Sequence, residues 1–444
     1  MNNAIAEQPL ATNKVKQILS KHILADGFDF VMDFEKSHGS WIYDKITQTE
    51  YLDMFSMFAS ASIGYNHPYL VSKADWLGKM AINKPTLADV YSEEYAQFME
   101  VFERVAIPKE LQYAFFISGG TLAVENAMKA CFDWKTRKNF EKGLKQEGEI
   151  CIHFQQAFHG RSGYTLSLTN TSDPRKYQYF PKFDWPRIVN PKLHFPITEE
   201  NLEETMRQER LALLHIEEAI VSHPDKVACI IIEPIQAEGG DNHFRDEFFV
   251  ELRKLCDDNE VLLIFDEVQT GIGMTGKMWG FQHFSVVPDV ISFGKKTQVC
   301  GILANKEKFD EVSHHVFVES SRINSTFGGD FIDFCRFQLI LEVIEKENLV
   351  ENSKVLGAYL LEKLEQLCQK YPSVLSQARG RGLMCAVDLP NGEARDRLRD
   401  LLYKDHLIIL SCGDQSIRFR PHLNVKKEEL DLALEKIENA IKEL

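Results

Sequence analysis

The sequence lacks an apolar run of the roughly 18 residues that a membrane-spanning helix needs, although 44% of its 444 residues are hydrophobic. Its opening residues also lack the secretion-signal pattern of a basic start, an apolar segment and a small-residue cleavage site. We therefore expect a globular protein of the cytoplasm with no membrane partner.

Paired cysteines and an excess of basic residues are missing as well. The nine cysteines lie singly, which is typical of free thiols in a reducing compartment. A formal net charge of −15 argues against a nucleic-acid partner, because binding to a phosphate backbone depends on clustered Lys and Arg. We also expect no metal, since His159, His243, His314 and His315 show no metal-ligand spacing with Cys, Asp or Glu.

Short apolar runs rich in Ile, Val and Phe predict buried strands in the middle of the chain. The predicted strands are 113–118, 149–154, 227–232, 261–266 and 289–293. Helical patterns separate them, and the clearest is the amphipathic stretch 245–259. This alternation predicts an α/β fold with a mostly parallel sheet that helices cover on both faces.

Beyond residue 330 the pattern changes to long helical stretches over 337–371. Predicted strands 383–389, 407–412 and 416–420 and a closing helix follow. We predict a large domain over residues 61–330. Residues 331–444 and 1–60 are expected to form a smaller α+β domain together, because the first sixty residues are too few to form one alone.

Candidate site residues follow the predicted strands, since ligands of parallel sheets bind at the carboxyl ends of the strands. "SGGT" (118–121) lets backbone amides approach a phosphate at a helix N-terminus, although a plain turn capped by Thr121 has the same pattern. Asp266 ends strand 261–266 and needs a cationic partner if it is buried. A protonated cofactor ring nitrogen is one such partner, and a helix-cap role is the alternative.

Two adjacent lysines, Lys295 and Lys296, follow strand 289–293. Either can be a solvated side chain, or one can be a Schiff-base lysine that burial keeps unprotonated. Strand-like alternation predicts that at most one points into a site. The nearby "GIGMTG" (271–276) fits a dinucleotide fingerprint but lacks its strand–turn–helix context, so we interpret it as a flexible loop. A nicotinamide oxidoreductase stays a remote alternative.

Two further loops carry charged residues after strands. "FHGRSGY" (158–164) contains Arg161, and "EPIQAEGG" (233–240) contains Glu233 and Glu238. Solvated surface loops are the alternative in both cases.

The motifs SGGT, FHGR, EPIQAEGG, DEVQTG, FGKK and NSTFGG, in this order and spacing, resemble those of class III (omega-amino acid) aminotransferases of fold type I. The resemblance extends from "GYNHP" (64–68) to "RFRP" (418–421). Within that family, "GKKTQVCG" and "GGTLAVENAMKACFDWK" are similar to bacterial L-lysine 6-transaminases. A non-catalytic binding protein is disfavoured, because every residue that the chemistry needs is present.

The resemblance implies pyridoxal 5'-phosphate (PLP) as cofactor and assigns its contacts. Lys295 would form the Schiff base and move the substrate proton, and Asp266 would hold the pyridine nitrogen protonated. The other implied contacts are Gly120 and Thr121 with the phosphate, Phe158 and Val268 with the two ring faces, Gln269 with the 3'-oxygen, and Thr326 from the second subunit of a homodimer.

The same resemblance implies transfer of the ε-amino group of L-lysine to 2-oxoglutarate in lysine catabolism. The products are L-glutamate and 2-aminoadipate 6-semialdehyde, which cyclises to piperideine-6-carboxylate. Arg161 would pair with the distant carboxylate, and Glu238 would neutralise Arg418 until 2-oxoglutarate displaces it. Asn324 is also assigned to the substrate. Ornithine and 4-aminobutyrate transaminases are the alternatives.

Overall fold

The computed structural model describes residues 11–444. The first ten residues of the predicted segment 1–60 therefore lie outside the described residues. The strands of residues 11–444 are β1 (Trp41–Tyr43), β2 (Glu50–Asp53), β3 (Tyr113–Ile117), β4 (Ile150–Phe154), β5 (Arg187–Ile188), β6 (Val227–Ile232), β7 (Leu262–Asp266), β8 (Val290–Phe293), β9 (Cys300–Ala304), β10 (Ser376–Arg381), β11 (Met384–Asp388), β12 (Leu407–Ile408), β13 (Leu410–Cys412) and β14 (Ser416–Phe419). The helical segments are α1 (Val15–Leu19), α2 (Ser56–Ala59), α3 (Pro68–Ser72), α4 (Ala74–Ile82), α5 (Glu93–Val105), α6 (Gly120–Glu141), α7 (Gly163–Leu168), α8 (Glu199–Ser222), α9 (Asp246–Asp258), α10 (Lys306–Phe309), α11 (Phe331–Lys346), α12 (Leu349–Lys370), α13 (Gly392–Lys404) and α14 (Lys427–Ile441).

The middle of the chain forms a seven-stranded sheet in the order β3-β9-β8-β7-β6-β4-β5. The neighbouring pairs from β8 to β5 are parallel, whereas β9 runs antiparallel to both β3 and β8. Every residue of β4, β6, β7 and β8 is buried. Burial on both faces of the sheet explains why these strands are continuous apolar runs and do not alternate with polar residues.

All five strands predicted for this region form, each with bounds within one residue of the prediction. Strand β9 was not predicted, because its sequence is short and contains Gly301. The predicted flexible loop at 271–276 is instead a buried turn. A Cβ added at Gly271 would lie 2.6 Å from the Trp279 ring, so the glycine permits a close contact between turn and ring. No strand-to-helix phosphate loop exists at this fingerprint.

Two smaller sheets come from the ends of the chain. One has the order β1-β2-β12 and the other β10-β11-β14-β13. Strand β12 runs parallel to β2, so a strand near the C-terminus extends the N-terminal hairpin. These pairings confirm a large domain with a mostly parallel sheet and a smaller α+β domain built from both termini. The boundaries at residues 60 and 330 stay predictions.

Two predicted elements of the C-terminal region are divided in the structure. The predicted strand 407–412 is interrupted at Ile409, where the chain passes from the sheet of β2 to the sheet of β14. The helical stretch 337–371 is two helices, α11 and α12, separated at Asn348 with a φ of +52°. No helix within residues 11–444 is both long and apolar enough to cross a membrane.

Candidate active site

A cavity of about 360 Å³ lies at the ends of β3, β4, β6, β7 and β8, where these strands meet β14 of the smaller domain. Most side chains at this edge come from the ends of the strands and the segments that directly follow them, as expected for a parallel sheet. The cavity is lined by Phe58, Gly120, Thr121, Phe158, His159, Gly160, Arg161, Lys176, Glu233, Glu238, Asp266, Val268, Gln269, Lys295 and Arg418.

The N-terminus of α6 forms one wall of this cavity. Gly119, at the N-cap, has a φ of +105° and no side chain to cap the helix. Gly160 has a φ of +139°, and a Cβ there would lie 2.4 Å from the hydroxyl oxygen of Thr121. Both glycines are therefore required by the backbone, and Gly160 leaves room for Thr121. Backbone amides at the start of a long helix, together with this hydroxyl, can hold a phosphate group.

Asp266 lies on the cavity wall at the end of β7 and is buried. Its Oδ2 is 2.8 Å from Nδ1 of His159, and its Oδ1 accepts hydrogen bonds from the backbone of Val268 and the hydroxyl of Ser292, both at 3.1 Å. Nε2 of His159 is buried and has no hydrogen-bond partner within residues 11–444. This carboxylate is fixed from two sides and can face a protonated nitrogen in the cavity.

Glu233 and Glu267 are both buried, so Glu233 does not lie in the solvated loop that was the alternative for it. Glu233 accepts hydrogen bonds from the backbone of Phe158 at 2.9 Å and of Ala237 at 3.1 Å. Burial raises its pKa to about 7. Glu267 accepts from two backbone amides after Trp279, and burial raises its pKa to about 7 as well. Glu233 thereby fixes the loop that presents Phe158 to the cavity.

The two adjacent lysines diverge because the chain turns after β8. Lys295 opens a short 3₁₀ turn with a φ of +55°, a left-handed conformation that is costly for a non-glycine residue. Its half-buried side chain lines the cavity, and burial followed by the charge of Arg418 lowers its pKa to about 8. Lys296 is almost fully buried and donates a hydrogen bond to the backbone oxygen of Gln269 at 2.9 Å. The turn, and not strand alternation, separates the lysines.

Two cations hold the carboxylate of Glu238 in the cavity. Arg418 Nη2 donates to Oε2 at 2.7 Å, and Lys176 Nζ donates to Oε1 at 2.6 Å. Burial raises the pKa of Glu238, but Arg418 and Lys176 outweigh that effect and the net shift is downward. Nε and Nη1 of Arg418 are buried without a partner in residues 11–444. Arg418 can therefore accept a further anion.

Arg420 has a different environment. Its guanidinium makes two contacts with Asp241, at 2.9 Å and 2.5 Å, and both side chains are almost fully buried. Arg420 is thus committed to a structural ion pair, whereas Arg418 lines the cavity. The sequence alone could not separate these two arginines. Arg161 lies exposed at the cavity wall.

Most predicted site residues meet in this cavity, but two do not. Thr326 and Asn324 are exposed and do not line the cavity of their own chain. The side-chain amide of Asn324 donates to Asp89 at 3.0 Å. Their contacts with cofactor and substrate stay predictions.

Five lining residues were not predicted to contact cofactor or substrate: Phe58, His159, Gly160, Lys176 and Glu233. Of these, Phe58 and Lys176 also lie outside the loops that directly follow the strands. Phe58 lies in α2, where four successive non-glycine residues have φ between +43° and +63°. Asp53 holds this strained turn by accepting hydrogen bonds from two backbone amides, both at 2.8 Å. No glycine or turn motif marks the segment, so its conformation could not be predicted from the sequence. Lys176 looks like any surface lysine in the sequence.

The comparisons with known proteins fit this geometry. The family model "Aminotransferase class-III" matches residues 24–441. The chain belongs to the class III aminotransferases. This aminotransferase is 46% identical to an L-lysine-epsilon aminotransferase of Mycobacterium tuberculosis over 99% of the chain and 97% of that protein. It is 32% identical to the human mitochondrial 4-aminobutyrate aminotransferase over 92% of the chain and 84% of that protein.

A solved structure of a lysine aminotransferase from M. tuberculosis, described as the internal aldimine form, matches with a TM-score of 0.95 and 46% identity. The match covers 97% of this chain and 99% of that chain. The class III enzymes are PLP-dependent, and so is this aminotransferase, which acts on an amino donor and a keto acid. The residues present fit PLP: a phosphate cradle at α6, a fixed carboxylate at Asp266, and a lysine of lowered pKa at Lys295. The family excludes the nicotinamide oxidoreductase alternative.

Proposed function

We propose that this aminotransferase transfers the ε-amino group of L-lysine to 2-oxoglutarate. The products are L-glutamate and 2-aminoadipate 6-semialdehyde, which cyclises to piperideine-6-carboxylate. The observation that carries the proposal is the Glu238–Arg418 ion pair inside the cavity. A buried cation with a removable counter-charge suits an enzyme that must bind an aliphatic chain and a carboxylate in turn at one place. The mycobacterial relative, named for lysine, supports the choice of donor.

The state in which Glu238 pairs with Arg418 is suited to binding the amino donor, lysine. Lysine enters with its ε-amine towards Lys295, so uncharged methylene groups lie near Arg418. Glu238 neutralises Arg418 during this step, because a lone buried guanidinium next to methylene groups is unfavourable. The α-carboxylate of lysine is distant from the reacting amine and pairs with Arg161, which is exposed at the cavity wall.

The state in which Glu238 has released Arg418 is suited to binding the acceptor, 2-oxoglutarate. The α-carboxylate of 2-oxoglutarate lies next to its reacting carbon and therefore needs a cation close to Lys295. Glu238 moves away, and Arg418 binds this carboxylate in a bidentate manner. The partnerless Nε and Nη1 of Arg418 support this step. Arg161 pairs with the distal carboxylate, so both substrates use the same outer anchor.

The side chains of the cavity would hold PLP in a defined manner. Gly120 and Thr121 would bind the phosphate, Phe158 and Val268 would enclose the ring, and Gln269 would contact the 3'-oxygen. When bound, PLP acts as an electron sink for the substrate carbon next to the reacting nitrogen. Asp266, positioned by His159, keeps a proton on the ring nitrogen. Lys295 carries the substrate proton on Nζ, and its lowered pKa of about 8 suits that transfer.

We further propose a homodimer in which Thr326, and Asn324 beside it, complete the cavity of the partner chain. The exposure of Thr326 and of Phe327, whose accessible fraction is 54%, supports this proposal. We also propose the cytoplasm as location, with lysine catabolism as the process served. The nine free cysteines support a reducing compartment.

Ornithine and 4-aminobutyrate are the competing donors, because the two arginines suit any ω-amino acid. The 32% identity to a 4-aminobutyrate aminotransferase supports 4-aminobutyrate as an alternative donor. The test is to measure kcat/KM for L-lysine, L-ornithine and 4-aminobutyrate with 2-oxoglutarate as acceptor. We expect the highest value for lysine. A clear preference for either competitor would overturn the lysine assignment while leaving the roles of Arg418 and Glu238 intact.

A further inference from the structure

Lys176 makes an ion pair that the two-substrate model above does not use. Its Nζ lies 2.6 Å from Oε1 of Glu238, while Arg418 contacts the other oxygen, Oε2. The Lys176 side chain is 23% exposed and that of Arg418 is 3% exposed, so the carboxylate bridges an inner and an outer cation. Lys176 also lies over the ring of Phe158, with Nζ 5.9 Å from the ring centroid. It therefore belongs to the cavity and not to the open surface.

The position of Lys176 relative to Glu238 is fixed by shared backbone contacts. Lys176 ends a short 3₁₀ turn that begins at Pro174. The hydroxyl of Ser172, just before that turn, donates to the backbone oxygen of Gly413 at 3.1 Å. The backbone nitrogen of Gly413 in turn donates to the backbone oxygen of Glu238 at 2.9 Å. The two segments are thus attached to the same residue, and the contact between Lys176 and Glu238 is built into the site.

We propose that Lys176 is the positioning residue that keeps Glu238 paired when Glu238 releases Arg418, and that it thereby sets how well the enzyme accepts a 2-keto diacid. The inference rests on the proposed two-substrate function. Because Lys176 and Arg418 hold different oxygens, the Oε2 contact can break while the Oε1 contact persists. An unpaired carboxylate in a half-buried cavity is unfavourable, so without Lys176 the released state is disfavoured.

The inference predicts that loss of Lys176 impairs the acceptor half-reaction more than the donor half-reaction. The donor step uses Glu238 in its paired state and does not need Lys176, whereas the acceptor step needs the released state. If Lys176 instead locked Glu238 onto Arg418, its removal would ease the acceptor step. The sign of the change in KM for 2-oxoglutarate therefore separates these two roles.

The experiment is a comparison of wild type with Lys176→Met and Lys176→Arg as holoenzymes. We expect Lys176→Met to raise KM for 2-oxoglutarate about tenfold, a typical coupling between contacting charged residues. The single-turnover rate with the amino donor and kcat at saturating 2-oxoglutarate should change less than KM, because the donor step uses the Glu238–Arg418 pair and saturating 2-oxoglutarate offsets its weaker binding. Lys176→Arg should restore most of the KM, because it keeps the charge.

Two controls make the result specific. Arg175→Met removes a cation from the same turn, but the Arg175 side chain is 82% exposed and pairs with Asp173, so KM should not change. In a Glu238→Gln background the amide needs no counter-charge, and Lys176→Met should have no further effect on KM. An unchanged or lowered KM in Lys176→Met, or an equal loss in Arg175→Met, overturns the inference. Failure of the wild type to react with lysine overturns only the proposed donor, because the acceptor step can then be measured with 4-aminobutyrate as donor.

Discussion

At the scale of single residues, identical side chains differ in what surrounds them. Lys295 and Lys296 are adjacent, and burial lowers the pKa of both. A lowered pKa alone therefore does not select the reactive amine. Lys295 faces the cavity, whereas Lys296 is held by the backbone oxygen of Gln269. Access to the cavity, set by the turn after β8, selects Lys295.

This difference predicts which lysine PLP attaches to and how the rate of attachment depends on pH. After apoenzyme is incubated with PLP and reduced with borohydride, peptide mapping should find the pyridoxyl group on Lys295. With its pKa near 8, the neutral amine of Lys295 decreases as the pH falls below 8. The labelling rate should therefore rise about tenfold per pH unit below 8 and level off above it.

The control for this experiment is Lys296→Met, which should keep the label on Lys295 and the same pH profile. A label on Lys296 in the wild type would contradict the assignment. A rate that keeps rising towards pH 10.5 would show that Lys295 titrates like an ordinary solvated lysine.

At the scale of elements, the start of α6 shows how separate loops combine into one binding surface. Thr121 lies in the first turn of α6, which follows β3, and Gly160 comes from the loop after β4. Because a Cβ at Gly160 would collide with the Thr121 hydroxyl, these loops must pack together closely. The geometry of the phosphate cradle therefore depends on a residue about 40 positions away from it in the sequence.

Gly160→Ala should weaken PLP binding because the new methyl group displaces Thr121 and strains the backbone. We expect the Kd for PLP to rise about fivefold or more, as about 1–3 kcal/mol of strain implies. Spectral titration of the apoenzyme measures this Kd. Gly143→Ala is the matched control: Gly143 also has a positive φ, +73°, but nothing lies within 4 Å of an added Cβ.

In Gly143→Ala the free energy of unfolding should fall by about 1–2 kcal/mol from backbone strain, while the Kd for PLP stays unchanged. If both variants lost PLP affinity equally, general destabilisation would explain the loss, and the contact with Thr121 would not.

At the scale of the whole molecule, the cavity combines parts of the large domain and of the smaller domain. Lys295 and Asp266 come from the large sheet, Arg418 from β14, and Phe58 from the N-terminal segment. The predicted partner residue Thr326 lies away from the cavity of its own chain, which is the arrangement that a shared site requires.

A shared site predicts complementation between two inactive or weakened chains. In a heterodimer of one Lys295→Ala chain and one Thr326→Ala chain, one cavity keeps both Lys295 and the partner's threonine. With limiting PLP, purified heterodimers carrying two different tags should have about half of the wild-type activity, as two-fold symmetry with one intact site implies. Activity no higher than that of Thr326→Ala alone would show that Thr326 serves its own chain.

The sequence by itself determined the parts of this protein that depend on local patterns. Five buried strands, the glycine-rich turn at Gly120 and the carboxylate at Asp266 follow from apolar runs and the residues that end them. Because parallel strands gather their carboxyl ends at one edge, these local features were enough to predict a site. Its family was predicted from the resemblance of the motifs to those of class III aminotransferases.

Only the tertiary structure decided the contacts between distant side chains. Strand β9 runs antiparallel, and the predicted strand 407–412 is divided between two sheets. Arg420 is committed to Asp241 while Arg418 is not, and Lys176 reaches Glu238 across 62 positions. Such pairs leave no periodicity or motif in the sequence, because folding alone brings the two partners together. The sequence therefore located the active site, and the packing of its loops decided which charged side chains enter it.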